Sequence, residues 1–242
     1  MQYFKDFGNL FYKFGNEVDP VIFEDISRYV DIIDQIKDDL TFLNVHTIQE
    51  GFRPDQVSIQ LYGSPLYYWT FYLLNDDLRE QGWPLINHEL QEYIKKIFPN
   101  TTITTRNTIS DKFKVGQTVT GNTSGASGEI IRRDLSLGQI VVRGSVSFST
   151  GGEVMNSTNS SGTVETITSV SSSNEYQAAA YYINSSNQIV DIDPHTGPGA
   201  QITEQTNENV YYNVNENLRN IKVIRPSQIS NIVSGFKEAL KS

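Results

Sequence analysis

The chain has 242 residues, with 19 Lys and Arg against 28 Asp and Glu, which gives a formal net charge of −9. Phosphate binding needs clustered basic side chains, so this charge balance argues against nucleic acid as a partner. The sequence contains no cysteine, which excludes disulfides, thiolate metal sites and cysteine nucleophiles.

Residues 1–43 are predicted to form an N-terminal arm followed by a long amphipathic helix. Asp19 fits the N-cap position and Pro20 the first helical position. Apolar residues then recur at alternating spacings of four and three as far as Leu43, which makes one stripe along a helix. The stripe can pack on the chain's own core or dock on a partner. Its candidate partner-interface residues are Ile22, Ile26, Tyr29 and Ile33.

Residues 44–100 are predicted to form the first part of a compact core. The alternating segment Leu43–Ile48 indicates a short strand. A helix beginning at Pro54 follows, and Gly63 can end it in the left-handed conformation. Ser64 and Pro65 are typical of the start of a second helix, ending near Asn75, which would bury Leu66, Trp69 and Leu73. A third helix is predicted at 87–98, with Leu90, Ile94 and Ile97 facing inward.

Residues 101–175 are predicted to form an inserted β domain. The segment Phe113–Val119 recurs as Phe148–Val154, with Phe, Gly and Val at the same offsets. Both copies precede a Ser/Thr/Gly-rich stretch and then β-branched residues, so the repeat favours a small barrel or sandwich. A flexible linker is the alternative, but the apolar residues of Ile140–Val142 require burial.

Residues 176–242 are predicted to return to a mixture of strands and a helix. Strands are expected at 177–183, 188–192, 210–214 and 221–224. A final helix is expected from Ser227, with an apolar stripe formed by Ile229, Ile232, Phe236 and Leu240.

Catalytic or metal chemistry is not predicted anywhere in the chain. The three histidines are scattered, and only Asp191 and Asp193, close to His195, resemble a ligand cluster. A hydrogen-bonded Asx turn is the commoner use of such a segment. The longest apolar run, Leu66–Leu74, is shorter than the roughly 18 residues of a membrane span. We therefore predict no catalytic residue, no cofactor, no metal, no small-molecule substrate and no membrane partner.

Two separated stretches carry a family resemblance. The first comprises Arg53–Val57, Leu61–Trp69 and Leu73–Asp76, with Gly82 and Trp83 beyond. The second runs from Asn215 to Ile224 and is followed by Pro226 and the closing helix. Together they resemble the small baseplate wedge subunits of T-even-type contractile-tailed phages. The resemblance covers residues 20–100 and 208–242, whereas residues 111–170 depart from the family pattern and resemble an insertion.

The compact core also resembles a LysM module, in which the order is strand, helix, helix, strand. The segment His46–Gly51 would supply the first strand and turn, and Ile221–Ile224 the returning strand. Looping out the intervening insertion is tolerable because the cost of loop closure grows only logarithmically with length. LysM modules usually bind glycans that contain N-acetylglucosamine, but a fold does not transfer its activity.

The expected fold class is α+β: a LysM-like strand–helix–helix–strand core, a long N-terminal amphipathic helix and an inserted small all-β domain. The resemblance implies a structural protein of the virion's tail baseplate. It implies contacts with other wedge subunits, the sheath-initiating subunit and neighbouring wedges during contractile-tail assembly. The alternative is a LysM-type peptidoglycan-binding protein for cell-wall attachment. Further candidate interface residues are Tyr68, Trp69, Arg219 and Phe236, although the Tyr and Trp residues could equally be core.

Overall fold

The computed structural model describes residues 9–13, 15, 19–24 and 42–241, which form an α+β protein. The strands are β1 (Asn9–Tyr12), β2 (Val21–Glu24), β3 (Leu43–Thr47), β4 (Thr101–Thr105), β5 (Thr118–Gly121), β6 (Ser127–Asp134), β7 (Gln139–Val142), β8 (Val154–Thr158), β9 (Val164–Asn174), β10 (Ala179–Ile183), β11 (Ile189–Val190), β12 (Thr203–Thr206) and β13 (Asn220–Ile224). The α-helices are α1 (Pro54–Tyr62), α2 (Trp69–Leu74), α3 (Asp76–Gln81), α4 (Asn87–Ile97), α5 (Asn207–Leu218) and α6 (Ile229–Lys241). The chain divides into two compact units, one comprising Met1–Ile86 and Asn215–Ser242 and the other Asn87–Val214.

The N-terminal part begins with an antiparallel hairpin in which β1 pairs with β2. The helix predicted from Pro20 is therefore wrong over Val21–Glu24, which is a strand. Phe11 lies opposite Ile22, and such a cross-strand pair of an aromatic and a β-branched residue stabilises a sheet. The rest of the predicted helix, including Ile26, Tyr29 and Ile33, lies outside the described residues.

The first unit is built around the antiparallel pairing of β3 with β13, in which Leu43 lies opposite Ile224. Both strands were predicted and are confirmed. Helix α1 begins at Pro54 as predicted, and Gly63 ends it with φ of +69°, donating its N–H to the Ile59 carbonyl at 2.8 Å. The left-handed conformation at this position favours glycine because it has no Cβ.

The second predicted helix is shorter and begins differently. The Ser64 hydroxyl accepts a hydrogen bond from the Leu66 N–H at 3.3 Å, as expected of an N-cap. The chain then makes a 3₁₀ turn at Pro65–Tyr67, and α2 begins only at Trp69. Because of this turn Leu66 is exposed, which corrects its predicted burial, whereas Leu73 is buried and Trp69 half-buried.

Two hydrophobic clusters hold the first unit together. One brings helices α1, α2 and α3 onto the β3–β13 sheet through Ile48, Val57, Phe71, Leu78, Leu218, Ile221 and Val223. The other seats α6 on the end of the sheet through Leu43, Leu74, Ile224, Ile229 and Val233. The final helix was predicted, and its stripe residues Ile229 and Phe236 are buried.

The second unit contains a closed six-stranded barrel with the strand order β4-β7-β6-β5-β8-β9. Closure pairs β4 with both β7 and β9. The inside of the barrel is filled by apolar side chains, which are Ile103, Ile109, Phe113, Val119, Ile130, Ile140, Val142, Phe148, Met155 and Ile167. The repeated segments therefore form a packed barrel and not a flexible linker.

The internal repeat is real, but its register differs from the predicted one. Both Phe113 and Phe148 are buried, yet the structural counterpart of buried Val119 is Met155, while Val154 is exposed. The counterpart lies 36 residues on, because the second copy carries one extra residue before its strand. Thr120 faces its own counterpart Asn156 across the antiparallel β5–β8 pair, so the two copies of the repeat pair with each other at equivalent positions.

The rest of the second unit comprises α4, the part of α5 as far as Val214, and a three-stranded sheet of order β11-β10-β12. Helix α4 was predicted, with Leu90 and Ile94 buried, but Ile97 is exposed. The strand predicted at 210–214 is wrong, because this segment belongs to helix α5. The Tyr211 ring contacts Phe98 edge-on at a centroid distance of 5.6 Å, and such tertiary contacts override a local preference for strand.

Candidate functional site

The first unit joins the two stretches of sequence that carry the family resemblance. Each stretch contributes one asparagine whose side-chain amide reaches a distant backbone residue: Asn75 binds Lys222 of the second stretch, and Asn215 binds Leu85, two residues beyond the first stretch. We call these two residues, Asn75 and Asn215, the asparagine clasp. They lie at the end of α2 and inside α5, and they bridge 147 and 130 residues of sequence respectively.

Asn75 binds both polar groups of one residue of β13. Its Oδ1 accepts the Lys222 N–H at 2.8 Å, and its Nδ2 donates to the Lys222 carbonyl at 2.9 Å. The same Nδ2 donates to the Phe71 carbonyl at 2.8 Å, near the end of α2. The amide therefore satisfies an orphan helix carbonyl and two strand groups at once, which only Asn or Gln can do with one side chain.

Asn215, in the second stretch, binds both polar groups of the Leu85 backbone. Its Oδ1 accepts the Leu85 N–H at 2.8 Å, and its Nδ2 donates to the Leu85 carbonyl at 3.0 Å. Asn215 is buried, so water cannot replace these bonds without a change in packing. The clasp thus fixes the register between the helical segment and the returning strand.

Two aromatic side chains add hydrogen bonds within the first unit. The Tyr62 hydroxyl donates to the Ile224 carbonyl of β13 at 3.0 Å, and the Trp83 indole N–H donates to the Phe52 carbonyl at 2.7 Å. Both rings contact Phe71, at centroid distances of 6.1 Å. Burial raises the pKa of the Tyr62 phenol well above its usual range, because the phenolate would lose its hydration.

The raised pKa of Tyr62 predicts a loss of stability at alkaline pH. The unfolded phenol deprotonates near pH 10, before the folded one, so this contribution is complete below pH 10 and declines as the pH rises above it. Replacing Tyr62 by Phe should cost about 0.5–1.5 kcal/mol at neutral pH, the value of one hydrogen bond. Urea unfolding between pH 8 and 11 should show the difference between wild type and Tyr62→Phe shrinking above pH 10. A difference that stays constant across this range would contradict the prediction.

The predicted interface residues fall into different environments. Phe236 is buried and its ring lies 5.4 Å from that of Trp69, so these two residues meet inside the first unit. Tyr68 is half-buried against the cluster around Phe71. The Arg219 Nε lies 3.0 Å from a Glu216 carboxylate oxygen, and the Arg219 side chain is only 12% exposed.

Ile22 differs from these residues because it lies on the surface, in the hairpin β1–β2, with 59% of its area exposed. Other apolar residues of the hairpin are exposed as well, among them Phe11 at 63% and Val21 at 42%. The sequence prediction included Ile22 but missed Phe11, whose signal was the apolar run Leu10–Tyr12 in the N-terminal arm.

Several ionisable side chains of the second unit serve structural hydrogen bonds. The Asx turn predicted before His195 is confirmed, because the Asp193 carboxylate accepts the His195 N–H at 2.9 Å. The buried carboxylate of Glu175 binds Arg132 at 2.9 Å and the Asn100 amide at 2.7 Å. Within the described ranges no three His, Asp or Glu side chains converge as metal ligands, and no helix is long and apolar enough to cross a membrane.

The barrel carries an open groove of about 550 Å³ beside the paired strands β5 and β8. It is lined by hydroxyl and amide residues, including Gln117, Thr120 and Asn156. Most of the amides bind neighbouring side chains: Asn156 donates to Asn122 at 2.6 Å and accepts from Thr166 at 3.1 Å. The groove thus offers no charged group for catalysis among its lining residues.

Comparison with known proteins leaves the geometry as the main guide to function. No protein-family model matches the chain, and a search of curated proteins gives no match.

Proposed function

We propose that this chain is a structural component of a contractile phage tail, placed in the baseplate wedge. In this role it holds wedge subunits together during tail assembly, in contact with the sheath-initiating subunit and with neighbouring wedges. The proposal begins from the resemblance of Arg53–Trp83 and Asn215–Ile224 to small baseplate wedge subunits. It concerns a scaffold and not an enzyme.

The asparagine clasp is the observation that carries the proposal. Asn75 belongs to the first resembling stretch and binds the Lys222 backbone of the second, and Asn215 of the second stretch binds the Leu85 backbone just beyond the first. Two resembling stretches that are far apart in a sequence can arise separately by chance. Their direct contact in one unit supports the view that both stretches descend from one ancestral unit.

A LysM-like core fits the same unit. Strand β3 is followed by α1 and α2 and is completed by β13, which pairs antiparallel with it. The barrel strands β4–β9 and the rest of the second unit lie between α3 and β13 in sequence. With α3 and the end of α5 set aside, the unit keeps the order strand–helix–helix–strand.

The test is to ask whether the chain is part of purified tails. Tails should be isolated from virions of the phage that encodes the chain and analysed by quantitative mass spectrometry. We expect the chain in a fixed ratio to the sheath-initiating subunit, and we expect deletion of its gene to leave heads without contractile tails. Absence of the chain from purified tails would overturn the proposal.

A binding assay addresses the glycan-binding alternative. The LysM-like order of elements is the observation that favours this alternative. Purified protein should be incubated with cell-wall peptidoglycan, with a protein of equal charge as the control. Specific retention that free N-acetylglucosamine oligomers reverse, together with absence from tails, would establish the alternative; we expect no such retention.

A further inference from the structure

We propose that the outer edge of strand β3 is a docking site for an extended, acidic segment of another protein, which adds to the sheet as a third strand. The inference rests on the proposed function, because it names the surface through which the chain would engage a partner in the assembly. The sheet consists of β3 and β13, so each strand has one edge that the other does not cover.

The pairing of the two strands determines which backbone groups of β3 point outward. The Ile48 N–H, just beyond β3, donates to the Arg219 carbonyl at 2.8 Å. Hydrogen-bonded and non-hydrogen-bonded positions alternate along an antiparallel pair. The even-numbered residues of β3 therefore bond to β13, whereas the N–H and carbonyl groups of Val45 and Thr47 point away from it.

The two outer edges of the sheet differ. On β13 the outward N–H and carbonyl of Lys222 both bind the Asn75 amide, and a further outward carbonyl accepts from the Tyr62 hydroxyl. On β3 the described part of the chain supplies no hydrogen-bond partner for the backbone of Val45 or Thr47. Both residues are exposed, Val45 by 77%. One edge is thus closed by side chains and the other is open.

An open edge of this kind can accept an extended peptide. Proteins usually protect an exposed edge with charged side chains, proline or a bulge, because its free backbone groups recruit another strand. The edge strand Leu43–Thr47 contains no Lys, Arg, Asp, Glu or Pro, and its register with β13 is unbroken. Strand addition at such an edge is a recurring mode of peptide recognition, in which main-chain hydrogen bonds supply the affinity.

Charge identifies the kind of segment that fits. Lys222 lies opposite Val45, and both are exposed. Residues 42–48 and 220–225 contain Lys222 and Arg225 but no acidic residue, and neither cation has an acidic partner among the described residues. An added strand would lie about 10 Å from β13, two strand spacings away, so a carboxylate on it is within reach of the Lys222 side chain. An acidic segment therefore complements this edge.

A second copy of the chain is a poorer occupant. The edge of β3 has outward backbone groups at only three residues, and one of them, Leu43, is buried. Two globular copies that meet along so short an edge would bury less than the roughly 1,000 Å² that a stable interface needs. The edge also has no acidic residue to complement the basic residues of another copy. An extended segment can make further contacts beyond the edge.

Hydrogen exchange tests strand addition without altering the chain. In the purified protein the amides of Val45 and Thr47 should exchange rapidly, while those of Asn44 and His46, which pair with β13, should exchange slowly. Exchange should be measured at single-residue resolution in the purified chain and in assembled tails. In tails we expect protection of the Val45 and Thr47 amides to rise at least 30-fold. Asn44 and His46 report whether the sheet is intact in both samples.

The outcomes separate this inference from the proposed function. Wild-type chain that is present in tails, with its Val45 and Thr47 amides still exchanging rapidly, would overturn the docking site and leave the proposed function intact. Absence of the wild-type chain from tails would overturn the proposed function, and this inference with it.

Proline at the edge provides a second test. Val45→Pro removes one outward N–H and leaves the pairing with β13 in place, since proline is tolerated where the N–H of an edge strand faces solvent. Its matched control, Val45→Thr, keeps both the N–H and the β-branched shape. Each variant should be supplied in trans to phage lacking the gene. We expect Val45→Pro to fall at least tenfold in purified tails and Val45→Thr to stay near the wild-type level, with thermal melts that match wild type. Equal incorporation of the two variants would overturn strand addition.

The nature of the partner is tested by charge and by crosslinking. Lys222→Gln should weaken association of the chain with wedge subcomplexes several-fold at low salt and less at high salt, because salt screens the lost attraction. Lys96→Gln, at an exposed lysine of α4, is the matched control and should have no effect. A photo-crosslinker at position 47 in assembled tails should reach an acidic segment of another protein. Crosslinks only to a second copy of the chain, or equal binding of the two lysine variants, would overturn the choice of partner.

Discussion

Replacing Asn215 by Leu is expected to destabilise the first unit by about 2–4 kcal/mol. The Leu85 N–H and carbonyl both lose their hydrogen-bond partner. A buried polar group that is left unpaired costs about 1–3 kcal/mol. Leu has the branching and the number of side-chain heavy atoms of Asn but is larger, so the substitution removes the hydrogen bonds without opening a cavity and adds some overpacking. Asn75→Leu should act similarly through Lys222. The measurement is urea unfolding followed by tryptophan fluorescence, since Trp69 and Trp83, the two tryptophans of the chain, both lie in this unit.

Asn217→Leu is the matched control for this prediction. It places the same substitution in the same helix, two residues away, at an exposed position. We expect a change of within about 0.5 kcal/mol, as is usual for surface substitutions. Equal effects of Asn215→Leu and Asn217→Leu would show that the amide contacts to Leu85 carry no special weight.

Local signals in the sequence were sufficient for β3 and α1 of the first unit. Alternation identified the strand at Leu43–Ile48, and a helix-initiating Pro54 with Gly63 at the far end identified α1. These signals work because the physical cause lies within a few residues of the effect. The pairing of β3 with β13 was inferred only through the family resemblance, because it joins residues more than 170 positions apart.

The errors occurred where distant contacts decide the conformation. The segment Val210–Val214 is rich in β-branched and aromatic residues, which favour a strand. It is nevertheless part of helix α5, from which the Tyr211 ring packs against Tyr93 and Phe98. Val21–Glu24 was assigned to a helix because the apolar spacing of that stretch fits 3.6 residues per turn. Its partner strand Asn9–Tyr12 lies outside any window that such a pattern covers.

The candidate site shows the same division. Exposed Ile22 was predicted as an interface residue from its position on a stripe, and its exposure comes from a hairpin that the stripe did not reveal. The clasp residues Asn75 and Asn215 were quoted within resembling motifs, but no local pattern gave their roles. An asparagine that binds a remote backbone is indistinguishable in sequence from one in a loop.

Gly138→Ala is expected to open the seam between β4 and β7 and to destabilise the barrel by about 2–5 kcal/mol. Gly138 has φ of +65°, which costs an L-residue about 1–2 kcal/mol. An added Cβ would also clash with the Thr105 carbonyl oxygen, so the backbone must shift, at a further cost of about 1–3 kcal/mol. Such a shift strains the bond that the Thr105 N–H donates to the Gly138 carbonyl at 2.8 Å.

Gly162→Ala separates the conformational cost from the steric one. Gly162 lies in the turn between β8 and β9 with φ of +79°, and no atom would lie within 4 Å of an added Cβ. It should therefore cost only the conformational part, about 1–2 kcal/mol. The barrel contains no tryptophan, so urea unfolding of these variants should be followed by far-ultraviolet circular dichroism. Both glycines lie in β-hairpin turns with positive φ, so equal losses for the two variants would mean that contact with Thr105 does not hold the β4–β7 seam closed.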